Sequence, residues 1–329
     1  MEHLHSGSVG ANCSKRKLII HAGICKTGTT ALQHYLDRNR RQFNEIGILY
    51  PKEGVSETRE PKHQWIVNAL ISADKQAFRQ RMALVEAEIQ PTTHTVILST
   101  EGISNHWWDF SEQSKALLHD LRATFNVSLW VWLREPATFF ASYYLQAMRN
   151  PVVQGVPAYG RDQTAAELLE MPWVAKHLEY GVLLKDLNDL FGEDSVFAFS
   201  YTDDIIGAVC RLLNAPRHSS SDSRENTTVM RSAGLSFLKI INRYKLNSRE
   251  KEQAYQLAAE LNALIGSRSE PFTLTAEETV RVREICGYSQ QELEDIGRRS
   301  LERWSEKHMI KQADANGQLA DPHQLDEPC

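Results

Sequence analysis

The sequence predicts an α/β fold: a doubly wound parallel sheet with helices on both faces and a helical C-terminal extension. Four short apolar, β-prone runs have the composition of strands buried on both faces of a sheet. They lie at residues 17–20, 95–100, 127–133 and 195–200. Helical stretches at 75–90 and 173–190 precede two of these runs, an alternation typical of parallel sheets. With 42% hydrophobic residues, the 329-residue chain is long enough for one large domain.

The first predicted strand, Lys17 to Ile20, continues into His21-Ala-Gly-Ile-Cys-Lys-Thr-Gly-Thr-Thr30, and the apolar residues that follow have helical spacing. Glycines allow backbone N–H groups to face an anion, and the helix N-terminus adds the positive end of its dipole. Lys26 contributes a charge, and the threonines contribute hydroxyl donors. The segment therefore predicts a phosphate-binding loop. A Walker A loop ends in Gly-Lys-Ser/Thr, whereas in this loop the lysine comes first.

A second anion site is predicted after the run Val127 to Leu133, which is followed by Arg134-Glu-Pro136. Pro136 suits the first turn of a helix, so the arginine is expected at the carboxyl end of a strand. Ser142 is expected about two turns into that helix. Two anion sites at strand-to-helix junctions suit a ligand with two separated anionic groups.

The two motifs resemble those of the sulfotransferases that use PAPS (3′-phosphoadenosine 5′-phosphosulfate). Lys26-Thr-Gly-Thr-Thr30 resembles the 5′-phosphosulfate loop of that family. Arg134 and Ser142 resemble its 3′-phosphate motif, an Arg-Xaa-Pro with a serine eight residues beyond the arginine. The cofactor-binding residues that the resemblance implies are Lys26, Thr27, Gly28, Thr29, Thr30, Arg134 and Ser142. The likeness is specific over residues 17–36 and 127–144, looser over most of 95–310, and fits the soluble bacterial type.

The resemblance implies in-line transfer of a sulfuryl group from PAPS to a hydroxyl or amine of an acceptor, with a carbohydrate or glycoconjugate as the favoured acceptor. The other product is PAP (adenosine 3′,5′-bisphosphate). As the equivalent lysine does in the family, Lys26 would balance charge on the departing phosphate oxygen. No metal is expected, because this transfer involves less charge than phosphoryl transfer and the Walker serine or threonine is missing.

Two residues are the main candidates for the general base. His63 follows a Tyr-Pro pair, as a histidine does in some sugar-modifying relatives, and histidine titrates near neutral pH. Glu101 follows the run at 95–100, at the predicted carboxyl end of a strand, where ligands bind in open α/β sheets. Many sulfotransferases instead use a glutamate from the segment after the first helix. That segment here contains Glu53, Glu57 and Glu60.

The identity of the acceptor and the class of function each have alternatives. Trp107 and Trp108 are candidates for stacking on a sugar ring, and Arg149 and Arg161 are placed to hold acidic groups of an acceptor. A P-loop kinase that uses ATP and magnesium is the alternative enzyme, with Glu101 as the acidic magnesium ligand. A non-catalytic nucleotide-binding module is the third function class.

The composition indicates in which cellular compartment the protein works and which partners it lacks. The net charge of −5 argues against a general nucleic-acid binder, and no apolar run is long enough to span a bilayer. Five scattered cysteines indicate neither a disulfide framework nor a zinc site. These features predict a cytoplasmic enzyme.

The expected domain organisation is a disordered leader, one domain and a disordered tail. The boundaries are 1–15 for the leader, 16–311 for the domain with its helical C-terminal part from about 230, and 312–329 for the tail. Residues 217–226, rich in serine and charged residues, are a candidate lid over the cofactor.

Overall fold

Five parallel strands form the central sheet of the computed structural model, which describes residues 15–55, 61–153, 155–218 and 230–316. The strands are β1 (Lys17–His21), β2 (Ile48–Leu49), β3 (Thr95–Ser99), β4 (Asn126–Leu133) and β5 (Val196–Ser200). Their order is β2-β3-β1-β4-β5. His21, at the end of β1, is in register with Ser99 on one side and Trp130 on the other. The predicted parallel sheet is confirmed, and β2 is an additional short edge strand.

Helices surround the sheet. In the first half of the chain they are α1 (Thr29–Arg38), α2 (Arg40–Glu45), α3 (Gln64–Ile71), α4 (Lys75–Ala87), α5 (Gly102–Asn105), α6 (Glu112–Asp120) and α7 (Pro136–Arg149). They continue with α8 (Ala165–Leu169), α9 (Pro172–Lys176), α10 (Tyr180–Phe191) and α11 (Ile205–Leu213). The C-terminal group is α12 (Ser232–Ile241), α13 (Ser248–Ile265), α14 (Ala276–Cys286) and α15 (Gln290–Asn316).

Hydrophobic cores fill both faces of the sheet, as alternation along β1 shows. Leu18 and Ile20 belong to the larger core, which includes residues of α3, α4, α7, α10 and the C-terminal helices. Ile19 points to the other face and packs with residues of α1 and α11. Successive side chains of a strand lie on opposite faces, so these buried residues require helices on both sides. The doubly wound arrangement is therefore confirmed.

The C-terminal helices cover the edge of the sheet and support α7. On the edge strand β5, the Ala198 amide donates to the Ser300 hydroxyl of α15 at 3.0 Å, and Arg303 donates to the Val196 carbonyl at 2.8 Å. These bonds satisfy backbone groups that an edge strand otherwise exposes. Near the end of α7, Lys251 of α13 and Asn242 donate to the Met148 carbonyl at 3.0 and 3.1 Å.

Several predicted boundaries differ from the observed ones. Within the helical C-terminal part expected from about residue 230, α14 and α15 are separate helices, because Gly287 takes the left-handed backbone conformation (φ 71°) that ends α14. The stretch expected at 173–190 is divided between α9 and α10. α15 continues to Asn316, past the domain end expected at 311. The helix continues there through Ala313 and Ala315, which have high helix propensity.

Some sequence-based expectations concern residues outside the described ranges. These are residues 1–14 of the leader, residues 317–329 of the tail, most of the candidate lid, and Glu57 and Glu60. Among the described residues, no helix combines the length and the apolar character needed to cross a bilayer.

Trp304 anchors α15 to the sheet and allows a test of this packing. Its ring lies 4.8 Å from Trp130 and 5.0 Å from Phe197, and its indole N–H donates to the Leu212 carbonyl at 2.8 Å. We expect Trp304→Ala to lower the free energy of unfolding by about 3–5 kcal/mol in urea denaturation. The control is Leu301→Ala on the exposed side of the same helix, with an expected change within about 0.5 kcal/mol. Equal effects would contradict this account.

Candidate active site

The candidate site lies at the carboxyl ends of β1, β3 and β4, the three central strands. The loop 22–28 follows β1, Glu101 follows β3 and Arg134 follows β4. In open parallel sheets ligands bind at this edge. The topology therefore brings together three segments that are far apart in the sequence.

The loop after β1 has the backbone of an anion cradle. Lys26 and Gly28 take left-handed conformations, with φ of 67° and 77°. For a non-glycine residue such as Lys26 this conformation is strained, and strained residues of this kind concentrate at functional sites. Gly28 is the N-cap of α1, and within the described ranges no side chain caps that helix. A Cβ atom at Gly23 would lie 2.8 Å from the His21 ring, so only glycine fits there.

Lys26, Arg134 and Arg149 form a cationic cluster beside this loop. Arg134 donates to the Lys26 carbonyl at 2.9 Å, and its guanidinium lies 4.9 Å from the centre of the Tyr201 ring. Burial lowers the pKa of Lys26, and the charges of Arg149 and Arg134 lower it further. Within the described part of the chain, no carboxylate pairs with Lys26 or Arg134. Since unpaired neighbouring cations repel one another, the arrangement favours bound anions beside them.

The predicted hydroxyl donors differ in availability. Thr27 is fully buried and donates to the Ile24 carbonyl at 2.6 Å, so its hydroxyl shapes the loop and has no hydrogen left for a phosphate. Thr29 is buried at the start of α1, whereas Thr30 is exposed. Ser142 is half-buried on α7 and has no hydrogen-bond partner among the described residues. Thr30 and Ser142 are therefore the hydroxyls that remain open to a ligand.

Glu101 lies at the site and is held by two donors. Gln33 of α1 donates its amide to one carboxylate oxygen at 3.1 Å, and Lys62 contacts the other at 3.3 Å. The Gln33 amide also donates to the Ser99 hydroxyl at 3.1 Å, which in turn bonds to Nδ1 of His21 at 2.8 Å. The side chain of Glu101 is 16% exposed. The carboxylate is thus oriented by two donors and partly accessible.

His63 lies in a different setting, fully buried behind the end of β3. Its Nδ1 accepts from the Ser99 amide at 3.0 Å, and its Nε2 donates to the Pro51 carbonyl at 3.3 Å. Burial lowers the pKa of His63 to about 3. With both ring nitrogens bonded to the backbone, His63 has neither the access nor the basicity to take a proton from an acceptor. This setting does not support His63 as the base, and the sequence alone does not show its burial.

The structure also shows where the candidate acceptor-binding residues lie. Trp107 is a core residue whose indole N–H donates to Asp186 at 3.1 Å, whereas Trp108 is half-buried. Arg149 pairs with Glu252 at 3.4 Å and lies near Lys26, while Arg161 is exposed.

Two residues of the site were not predicted from the sequence. Gln33 holds Glu101, and Tyr201 supports Arg134. A polar residue directly after Leu32 on the buried face of α1 was the available signal for Gln33. Tyr201 follows β5 at the same edge of the sheet.

No profile of a known protein family matches the chain, and no curated protein sequence matches it. Three solved structures that it resembles are sulfotransferases. One from Alicyclobacillus acidocaldarius is 13% identical with a TM-score of 0.40, and the match covers 85% of this chain and 99% of the other. The sulfotransferase domain from the curacin biosynthetic pathway is 12% identical with a TM-score of 0.36, covering 84% and 98%. A mouse sulfotransferase complexed with PAP is 10% identical with a TM-score of 0.30, covering 93% and 89%. The proposal below rests on the site's own residues.

The buried His63 makes stability dependent on pH. Since its pKa is about 3 when folded and near 6.5 when unfolded, the unfolded chain binds the extra proton between these values. Its contribution is therefore complete above about pH 6.5 and is lost as pH falls toward 3. Between pH 7 and pH 5 the loss from this group is about 2 kcal/mol. In urea denaturation at the two pH values, we expect His63→Gln to remove that share of the pH dependence.

The exposed His119→Gln is the matched control, with the pH dependence of the wild type. An unchanged pH dependence in His63→Gln would contradict the buried neutral state of this histidine.

Proposed function

We propose that the chain is a PAPS-dependent sulfotransferase that transfers a sulfuryl group to an acceptor hydroxyl or amine. The observation that supports this most directly is the pair Lys26 and Arg134. The two cations come from adjacent strand ends, have no carboxylate partner among the described residues, and are joined by the bond from Arg134 to the Lys26 carbonyl. Two linked cations beside an uncapped helix N-terminus suit a ligand with phosphate groups at two positions.

The residues present fit such a ligand. Backbone N–H groups at the start of α1, with Lys26 and Thr30, would hold the phosphosulfate end. Arg134 and Ser142 would hold the 3′-phosphate, since neither is engaged by a carboxylate in the described structure. The left-handed conformations at Lys26 and Gly28 open the loop backbone toward an anion.

Each side chain then has a defined task. Bound PAPS supplies the sulfuryl group, whose bond to the 5′-phosphate oxygen breaks as a bond to the acceptor oxygen forms, and PAP leaves. Glu101 takes the proton from the acceptor hydroxyl. Lys26 balances the charge that develops on the departing phosphate oxygen. Gln33 and Lys62 position the carboxylate, so that little reorientation is needed during the transfer.

The kinase alternative has less support in the site. It requires Glu101 to bind magnesium, but both carboxylate oxygens already accept from Gln33 and Lys62. A cation at that position would displace or repel the Lys62 ammonium. A proton needs only one free lone pair of the carboxylate, so proton transfer leaves the Gln33 and Lys62 contacts in place.

The cytoplasm is the compartment that we propose. Cys25, Cys210 and Cys286 are free thiols in the structure, as expected in a reducing environment.

Arg134→Gln tests the cofactor assignment. The change removes the charge and shortens the donor, so we expect PAP to bind about 10–100-fold more weakly in calorimetric titration. The control is Arg79→Gln, an exposed arginine on α4, whose PAP affinity should equal that of the wild type. Equal affinity in the Arg134 variant would exclude the proposed 3′-phosphate site.

Glu101→Gln tests the base. The amide keeps the size of the side chain but cannot accept the proton, so kcat for sulfuryl transfer should fall about 10²–10⁴-fold while PAP affinity is retained. Glu53→Gln is the matched control, because Glu53 is an exposed glutamate of the segment that also supplied candidate bases. Loss of turnover in Glu53→Gln with activity kept in Glu101→Gln would reverse the assignment. Binding of PAP without turnover of any acceptor by the wild type would favour the non-catalytic module.

A further inference from the structure

The short helix α5 follows Glu101 directly, and two of its side chains are bonded to the phosphate-binding loop. The Ser104 hydroxyl donates to the Ala22 carbonyl. The side-chain oxygen of Asn105 accepts from the Cys25 amide at 3.4 Å. Each bond joins residues that are 80 or more positions apart in the sequence. The segment after β3 and the loop after β1 are therefore held together by side chains of α5.

The contact with Cys25 fixes which way the Asn105 carboxamide faces. A backbone N–H group can only donate, and in a carboxamide only the oxygen accepts, so Oδ1 is the atom that faces the Cys25 amide. The nitrogen Nδ2, which carries two N–H donors, then faces away from that amide. It has no hydrogen-bond partner among the described residues, and it is not enclosed. Because Asn105 is only half-buried, these two donors are open to a ligand.

Asn105 lies between the loop and the proposed base. Its backbone amide donates to the Glu101 carbonyl at 3.0 Å, one helical turn back. Its side chain is bonded to Cys25, the residue before Lys26. In the proposed reaction the sulfuryl group moves from a phosphosulfate held by the loop to an acceptor oxygen at Glu101. Since Asn105 is bonded to both segments, it lies at the junction that the sulfuryl group has to cross.

The other residues of the site already have tasks that do not include the sulfuryl oxygens. Lys26 balances charge on the departing phosphate oxygen, Arg134 and Ser142 hold the 3′-phosphate, and Glu101 takes the proton of the acceptor. A carboxylate such as that of Glu101 repels the anionic sulfuryl oxygens. The neutral amide of Asn105 instead offers them N–H donors, and a hydrogen bond to an anionic oxygen is among the stronger ones. Such a bond restricts the orientation of the group that is transferred.

We propose that Asn105 is a further cofactor-binding residue, which donates from Nδ2 to a sulfuryl oxygen of PAPS while Oδ1 stays bonded to the loop. This inference rests on the proposed sulfotransferase function and names the residue that recognises the group that PAPS has and PAP lacks. The bond from sulfur to the phosphate oxygen breaks, and PAP leaves with its electron pair. The acceptor oxygen bonds to sulfur and loses its proton to Glu101. Asn105 gains and loses no proton, since its task is orientation.

The test compares the affinities of PAPS and PAP for the full chain, by calorimetric titration without an acceptor. Asn105→Asp keeps an oxygen for the Cys25 amide but replaces the N–H donors with a negatively charged oxygen. We expect the ratio of PAPS affinity to PAP affinity to fall about tenfold relative to the wild type, with an unchanged Tm. Asn105→Ala removes the donors without adding a charge, and the ratio should fall about fivefold.

Two variants serve as controls. Ser104→Ala removes the other bond between α5 and the loop but leaves Asn105 in place, so the affinity ratio should equal that of the wild type. Asn44→Asp makes the same chemical change at an exposed asparagine of α2, and both affinities should be unchanged.

The outcomes separate the two proposals. Failure of PAP to bind the wild type would overturn the sulfotransferase function and this inference with it. Binding of PAP together with a wild-type affinity ratio in both Asn105 variants would overturn the role of Asn105 alone. An equal fall of the ratio in Ser104→Ala would show that Asn105 only ties α5 to the loop, and it would likewise overturn the proposed contact with the sulfuryl group.

Discussion

The hydrogen bond from the Arg134 guanidinium to the Lys26 carbonyl is the contact on which the site depends. It joins the loop after β1 to the end of β4 at 2.9 Å and bonds to the residue with the strained backbone. It also brings two cations together without a carboxylate to neutralise them in the described structure. The order of the strands makes this possible, since β1 and β4 are neighbours in the sheet although they lie far apart in the sequence. Charge that the fold leaves unneutralised at a sheet edge is available to a ligand.

A second network fixes the opposite side of the site. Ser99 at the end of β3 bonds to His21, Gln33 and His63, and Gln33 extends this network to Glu101. Because Gln33 lies on α1, the helix that begins at the phosphate-binding loop also orients the carboxylate. The anion cradle and the proposed base are thus coupled through one rigid helix. Burial lowers the pKa values of both histidines of this network, so their neutral rings bond to the Ser99 hydroxyl and the Ser99 amide without the cost of a buried charge.

The sequence was sufficient for features that depend on local pattern. Apolar runs predicted four strands, and Pro136 predicted the start of α7. It was insufficient where tertiary contacts decide. β2 consists of two residues, Ile48 and Leu49, that are strand only through pairing with β3. The sequence made His63 a candidate base, but it could not show that segments distant in the chain bury this residue. For Thr27, no pattern showed that its hydroxyl bonds within the loop. The roles of the predicted cofactor residues stay predictions.

The measurement that tests the central claim most directly is calorimetric titration of the wild-type chain with three nucleotides: PAP, adenosine 5′-phosphate, and ADP with magnesium. If Lys26 and Arg134 form two linked anion sites, PAP binds without magnesium, and removal of its 3′-phosphate weakens binding at least about 100-fold, as expected for the loss of charge-assisted bonds to phosphate. Equal affinity for PAP and adenosine 5′-phosphate, or a preference for ADP with magnesium, would contradict the account and favour a nucleotide kinase.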